Sequence, residues 1–514
     1  MTTVRHAPLA MDAETFRRLG HQLVDQVATR LSAIPQGPVT RVEPPSAVRE
    51  ALDLLAPLPE AGTEPGRLLE EATRGLFEHS LFNGHPRFFG YITSSPAPIG
   101  ILADLLAAAV NPNVGAWALS PAATEIEAQT IRWVASFIGF PTDCGGLFVS
   151  GGNMANFVCV LAARVAKAGP EVRERGVGRA RQCRIYASAE THTWLHKAAD
   201  ISGLGTDAIR WVPTDAHLRM DVDALRRQIE ADRASGELPC LVVGTAGTVS
   251  TGAVDPLADI RAVCSEHDVW FHIDGAYGGF AAALPDAHPD LLALAHADSV
   301  AVDPHKWLYA PLEAGCVLVR QPELLRAAFA YHPPYYHFDE QATNYVDYGP
   351  QNSRGFRALK VWLALKQVGA SGYRHMLAED IQLARAMADA VVASDELQLI
   401  TQNLSITTFR YIPSDLRTNA GDEVVAAYLD ALNRALLDRV QQGGDAFVSN
   451  AVVHGTFALR ACIVNFHTTH ADVDAMLANV VRLGREADAA LRPVFDAGSG
   501  LGSFEPKTMR SPSS

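Results

Sequence analysis

Long apolar runs are missing from this sequence. Its most apolar stretch, Ile101 to Val110, is short and interrupted by Asp104, and the opening segment MTTVRHAPLAMDAETFRRLG has no extended hydrophobic region. A membrane-spanning helix needs about 20 successive apolar residues and a secretory leader a continuous apolar core, so neither is expected. Positive charge is also in short supply, with 43 Lys and Arg against 57 Asp and Glu and a formal net charge of −14. Without a basic face, no nucleic-acid partner and no anionic membrane partner is expected. Cysteine is sparse: seven residues, an odd number, with no C-x-x-C pair. Neither a disulfide framework nor a zinc site is therefore expected, and a reducing cytoplasmic location is. No internal repeat is present.

What remains is the composition of a folded protein, 48% hydrophobic and 19% charged over 514 residues, long enough for several domains. Residues 12 to 34 place Phe16, Leu19, Leu23, Val27 and Leu31 at three- and four-residue steps, which predicts an amphipathic helix. That helix either packs on its own domain or forms an arm reaching a second subunit. A Pro-rich stretch, 35 to 65, reads as a linker with a short helix near 48 to 55.

From about 145 to 320 the pattern changes to short apolar runs, GLFVS, CRIYAS, CLVVG, VWFHI, SVAV and GCVLV, separated by helix-length segments. Helices are expected over 221 to 233, with Asp221 as N-cap, and over 256 to 267, with Pro256 in the first turn. Alternation of this kind predicts an α/β fold with a largely parallel sheet covered on both faces. A helix from about 353 to 368 then leads into a second α/β region, 385 to 490. The expected division is an N-terminal arm and linker, 1–95; a large domain, 96–380; a small C-terminal domain, 381–492; and a tail, 493–514.

Ligands in such sheets bind beyond the carboxyl ends of the strands, so the residues following each run are the candidates for chemistry. They are Ser150-Gly-Gly-Asn153, His192, Thr245 to Thr248, Asp274, and Asp303-Pro-His-Lys306. The glycine-rich turn opens a helix whose backbone N–H groups can hold a phosphate, although any tight strand-to-helix turn also uses glycine. No G-K-[ST] follows it, which excludes a nucleotide P-loop. Asp274, beside the small Ala276, reads as a helix cap, as a metal ligand or as a carboxylate keeping a pyridine ring protonated. Lys306, between His305 and Trp307 at the end of an apolar strand, is either a snorkelling lysine or a neutral amine available for Schiff-base chemistry.

The tetrapeptide D-P-H-K, with H-I-D-G-A-Y thirty residues upstream, resembles the group II pyridoxal phosphate-dependent amino-acid decarboxylases, the aromatic-L-amino-acid decarboxylases among them. HPRFFGY at 85–91, SPAATEIE at 120–127, the SGG turn, E-T-H-T around His192, GTAGTVSTGAVD at 244–255 and SRGFRALKVW at 353–362 extend the likeness over roughly 12 to 490. The resemblance implies a fold-type I homodimer with a seven-stranded, mainly parallel sheet in the large domain and a smaller C-terminal domain. It implies pyridoxal 5'-phosphate carried on Lys306, with Asp274 at the pyridine nitrogen and His192 stacked on the ring. Gly152, Asn153, Thr248, Ala276 and His305 match cofactor-contacting positions, and Ser94 falls in the substrate-side segment. Asp303 matches a position that is Asn in the animal aromatic decarboxylases, and a direct contact to the phosphate is not expected of it. Tyr335, two residues after Pro333, matches a loop tyrosine that returns a proton to Cα, with Tyr336 as the alternative.

The implied substrate is an L-amino acid. Phe88, Phe89, Tyr91, Trp117 and Tyr335 point to an aromatic-lined pocket, with substrate contacts expected from Tyr91, Ser94, Trp117 and His192. Decarboxylation of glutamate or aspartate and oxidative release of an aldehyde stay open as alternatives. So does transamination, for which Arg354 and Arg460 are available to hold a carboxylate. A cysteine desulfurase would need a nucleophile on the Tyr/Pro-rich loop, but no cysteine lies between Cys316 and Cys462.

Overall fold

The computed structural model describes residues 7–179, 182–332 and 342–492. Its central sheet has seven strands: β1 (Gly145–Val149), β2 (Cys183–Ser188), β3 (Ile209–Val212), β4 (Leu238–Thr245), β5 (Trp270–Asp274), β6 (Ser299–Val302) and β7 (Gly315–Val319). They lie in the order β1-β7-β6-β5-β4-β2-β3. Every pairing from β6 to β3 is parallel, while β7 runs antiparallel to both β1 and β6. Five of the six expected runs form strands buried at every residue, the burial that a sheet covered on both faces imposes. The strand not anticipated, β3, is a four-residue edge strand with Trp211 38% exposed, too short and too wet to show as an apolar run.

Helix boundaries follow local chemistry. Asp221 caps Val222–Ala234 by accepting from the Ala224 N–H, as its position predicts. Pro256 precedes Leu257–Glu266 as its cap residue. The short linker helix lies at Pro45–Ala51, earlier than expected, because Pro45 starts it with a fixed φ. The helix expected to end at Val368 instead runs Ala358–Ala393 and is broken, not ended, at Gly369, which takes φ 71°.

A second, antiparallel sheet has the order β10-β11-β9-β8, from β8 (Leu397–Asn403), β9 (Ile406–Tyr411), β10 (Ser449–Val453) and β11 (Thr456–Cys462). Helices Glu423–Gly443 and His470–Leu491 pack near it, the latter opened by a Thr469–Asp472 capping box. Each sheet has its own core, and the long helix Ala358–Ala393 serves both. Val361, Ala364 and Leu377 enter the first, and Ala384, Met387 and Val391 enter the second. The N-terminal helix Ala13–Ala33 buries Leu19 alone, leaving Phe16 65% and Val24 44% exposed. Among the described residues no helix is long and apolar enough to cross a membrane.

Candidate active site

The carboxyl ends of the central strands close on a cleft of about 380 Å³, within the range of small-molecule sites. Its wall includes Gly152, Asn153, His192, Asp274, Ala276, His305 and Lys306, so these separate sequence segments are brought together as the strand-end reading anticipates.

One side is the turn from β1 into the helix Gly152–Ala168. Gly151 holds φ 136°, and a Cβ at Gly152 would lie 2.6 Å from Asp303 Oδ2 and 3.3 Å from the Ala276 methyl. Glycine is required here because the backbone itself forms the wall. The first helical bond runs from the Ala155 N–H to the Gly151 carbonyl, so the N–H groups of Gly152, Asn153 and Met154 precede it. Together with the helix dipole they form a cradle suited to an anion.

Across the floor, β5 ends at Asp274, which is 6% exposed. Its Oδ2 accepts from the Trp194 indole N–H at 2.7 Å and its Oδ1 from the Ala276 N–H at 3.1 Å. Trp194 follows His192 by two residues, and its backbone N–H donates to His192 Nδ1 at 3.2 Å. One tryptophan thus orients both the carboxylate and the imidazole, a role not read from the sequence. Desolvation by the cleft walls lowers the His192 pKa against the opposing pull of Asp274, favouring a neutral ring. Beneath Asp274, the wholly buried His272 joins Asn156 Oδ1 at 2.7 Å and Ser299 Oγ at 2.9 Å. Burial pushes its pKa down to about 4.

Opposite lies Lys306. Its Nζ is 3.1 Å from Asp303 Oδ2, and the neighbouring His305 shares its Nδ1 with the Ala314 carbonyl at 2.8 Å. The lysine turn is anchored from behind. Trp307 stacks on Tyr277 with centroids 4.9 Å apart, and the Trp307 indole and Tyr309 hydroxyl both donate to Asp380 Oδ2, at 2.8 and 2.7 Å. Burial raises the Asp380 pKa to about 7.

Several other sequence candidates lie outside the cleft wall formed by this single chain. Thr248 is wholly buried, with its hydroxyl accepting from the Ala253 N–H at 3.1 Å, while Gly247 and Val249 line the cleft. Ser94 donates to the His305 carbonyl at 2.8 Å and so touches the lysine turn from outside. Tyr91 is 59% exposed with its ring near Phe447, and the Trp117 indole donates to Glu125 at 2.9 Å. Phe88 and Phe89 are core residues. Tyr335 and Tyr336 lie outside the described residues. Arg354 is spent on Glu127, the Phe148 carbonyl and the Val114 carbonyl, at 2.5, 2.7 and 2.8 Å. Arg460 in β11 donates to Ser449 at 2.9 Å and the Tyr91 carbonyl at 3.3 Å.

These groups fit pyridoxal phosphate. The cleft offers an amine, an anion cradle, a buried carboxylate for a ring nitrogen and a flat neutral imidazole; the buried Thr245 hydroxyl, also in its wall, has no hydrogen-bond partner among the described residues. Lys306 would hold the aldehyde carbon, the Gly152 end of the helix the phosphate, and Asp274 the pyridine nitrogen. When bound, the cofactor supplies the electron sink for the pair left behind as CO₂ departs.

Comparison with known proteins agrees. The family profile described as "Pyridoxal-dependent decarboxylase conserved domain" matches residues 47–412. The chain is 33% identical to an aromatic-L-amino-acid decarboxylase of Bacillus atrophaeus, covering 93% of this chain and 97% of that one. It is 30% identical to a phenylacetaldehyde synthase of Petunia hybrida, covering 92% and 94% respectively. The crystal structure of Oryza sativa TDC with PLP and tryptamine superposes with a TM-score of 0.86 at 26% identity, covering 94% of this chain and 99% of that one. With its amine, carboxylate and anion cradle converging on one cleft, this chain belongs to the pyridoxal-dependent decarboxylase family and is a pyridoxal phosphate-dependent carboxy-lyase acting on an amino acid.

Proposed function

We propose that the substrate is an aromatic L-amino acid, of the tyrosine, phenylalanine, tryptophan or DOPA type, and that the product is the amine. The juxtaposition of Lys306 and Asp274 on one cleft carries the chemistry. The aromatic preference is supported by relatives whose names specify aromatic substrates. In this reading His192 holds the ring plane, Asp274 keeps the pyridine nitrogen protonated, and the Tyr335 hydroxyl gives the final proton to Cα. A phenol retains its proton at neutral pH, its ordinary pKa being about 10, and a carbanion is basic enough to take it. The likeness to a phenylacetaldehyde synthase supports a second reading in which oxygen captures the electrons and an aldehyde leaves. Measuring CO₂, amine, aldehyde and ammonia across the common amino acids, with cofactor added, separates the two. Turnover confined to glutamate or aspartate would refute the aromatic assignment.

The working unit in this proposal is a cytoplasmic homodimer. Its support is a set of N-terminal helices that leave Phe16, Leu76, Leu102, Leu105, Leu106 and Val110 each more than half exposed, an apolar surface that calls for a partner. All seven cysteines are free thiols, as a reducing compartment permits. A monodisperse, fully active monomer in sedimentation would contradict the dimer.

A further inference from the structure

Asp303 makes a second anion of the anion cradle. It stands at the end of β6, 1% exposed, just before the short turn Pro304–Trp307, and gives that turn no capping bond. Its Oδ2 is 3.1 Å from Lys306 Nζ and 3.7 Å from His305 Nε2. Its Oδ1 is buried without a hydrogen-bond partner among the described residues. The same carboxylate presses on the start of the helix Gly152–Ala168, so closely that a Cβ at Gly152 would come within 2.6 Å of it. A carboxylate so placed already draws on the positive potential of the helix N-terminus. The other titratable groups that sense it are His192 from the turn after β2 and Cys316 on β7, while Asp274 adds a further negative charge across the floor.

We propose that Asp303 sets, and lowers, the affinity of this chain for the phosphate of its cofactor by competing with that phosphate for the Gly152 helix end. The inference rests on the reading of the cleft as a pyridoxal phosphate site and adds a determinant within it. An uncharged amide of the same shape at 303 leaves the helix end to the incoming anion. A phosphate entering beside the native carboxylate meets a like charge across a few ångströms, with little water between them to screen it. The opposition is specific to the phosphate, because a pyridoxal lacking it brings no anion to the cradle.

The test uses the full chain and two probes, pyridoxal 5'-phosphate and pyridoxal, titrated by the visible absorbance of the lysine-bound form. Asp303→Asn is expected to tighten pyridoxal 5'-phosphate by at least about tenfold, the equivalent of one pKa unit of interaction. Pyridoxal affinity should stay close to wild type, and Asp303→Glu, which keeps the charge, should bind both probes as the wild type does. Thermal melting without cofactor checks that the Asn variant is folded. If Asp303→Asn binds pyridoxal 5'-phosphate no tighter than wild type, or tightens both probes alike, the proposal is overturned. If the wild-type chain develops no lysine-dependent absorbance with either probe, the reading of the cleft itself fails.

Discussion

Replacing Trp194 by Phe removes one donor and little else. The indole is 2% exposed and its edge faces His272 at a centroid distance of 6.0 Å, so a phenyl ring keeps most of the packing. What disappears is the 2.7 Å bond to Asp274 Oδ2, leaving that buried carboxylate, among the described residues, with the Ala276 N–H. A hydrogen bond to a charged, buried group is worth about 1.5–3 kcal/mol. If Asp274 is held ready for a pyridine nitrogen by this bond, the loss appears in cofactor binding as a dissociation constant roughly 10- to 150-fold weaker. Titration by absorbance gives the constant directly. The melting temperature measured without cofactor separates the loss of orientation from a general loss of stability. An unchanged dissociation constant in a well-folded Trp194→Phe variant would refute the claim that this indole positions Asp274 for the cofactor.

Three further outcomes are expected. Lys306→Ala should abolish the visible absorbance of the purified protein, and a spectrum identical to wild type would remove the lysine from its assigned place. Tyr335→Phe should still release CO₂ while the product shifts from amine towards aldehyde, ammonia and peroxide; if only Tyr336→Phe has that effect, the acid lies one residue later. Asp380 gives a pH dependence. Burial raises its pKa from 3.8 to about 7, so between those values the folded chain binds the extra proton and stability falls as pH rises from about 4 to about 7. The difference in stability between wild type and Asp380→Asn, followed by denaturation at a series of pH values, should show that slope, and parallel curves would exclude it.

The sequence makes the cleft legible because its chemistry is strung along strand ends. His192, Asp274 and Lys306 each follow a short apolar run, and a parallel sheet must deliver such positions to one edge. Trp194 escaped because its function depends on a contact 80 residues away, across β4, which no local periodicity encodes. Thr248 illustrates the opposite problem. Its place in the chain is at the cleft, but the turn directs its hydroxyl inward to the Ala253 N–H, a matter of backbone geometry that residue type does not reveal. Asp303 was recognisable as an odd acid in an anion site, yet only the folded chain brings its Oδ2 against both Lys306 and Gly152. The helix expected over 353 to 368 continues past the Gly369 kink to Ala393, because residues on both sides of it are buried in the two cores.

That long helix also bears on how the protein can be divided. A boundary between residues 380 and 381 falls inside Ala358–Ala393, next to the carboxylate that grips both Trp307 and Tyr309 around the lysine. Two fragments cut there would each carry half of a shared strut, and the lysine turn would lose its rear anchor. Split-enzyme designs, domain exchanges and permuted chains built on that boundary should therefore fail to hold cofactor even if each half keeps its sheet. A break placed at the exposed residues 417–419, beyond the helix, leaves the strut whole.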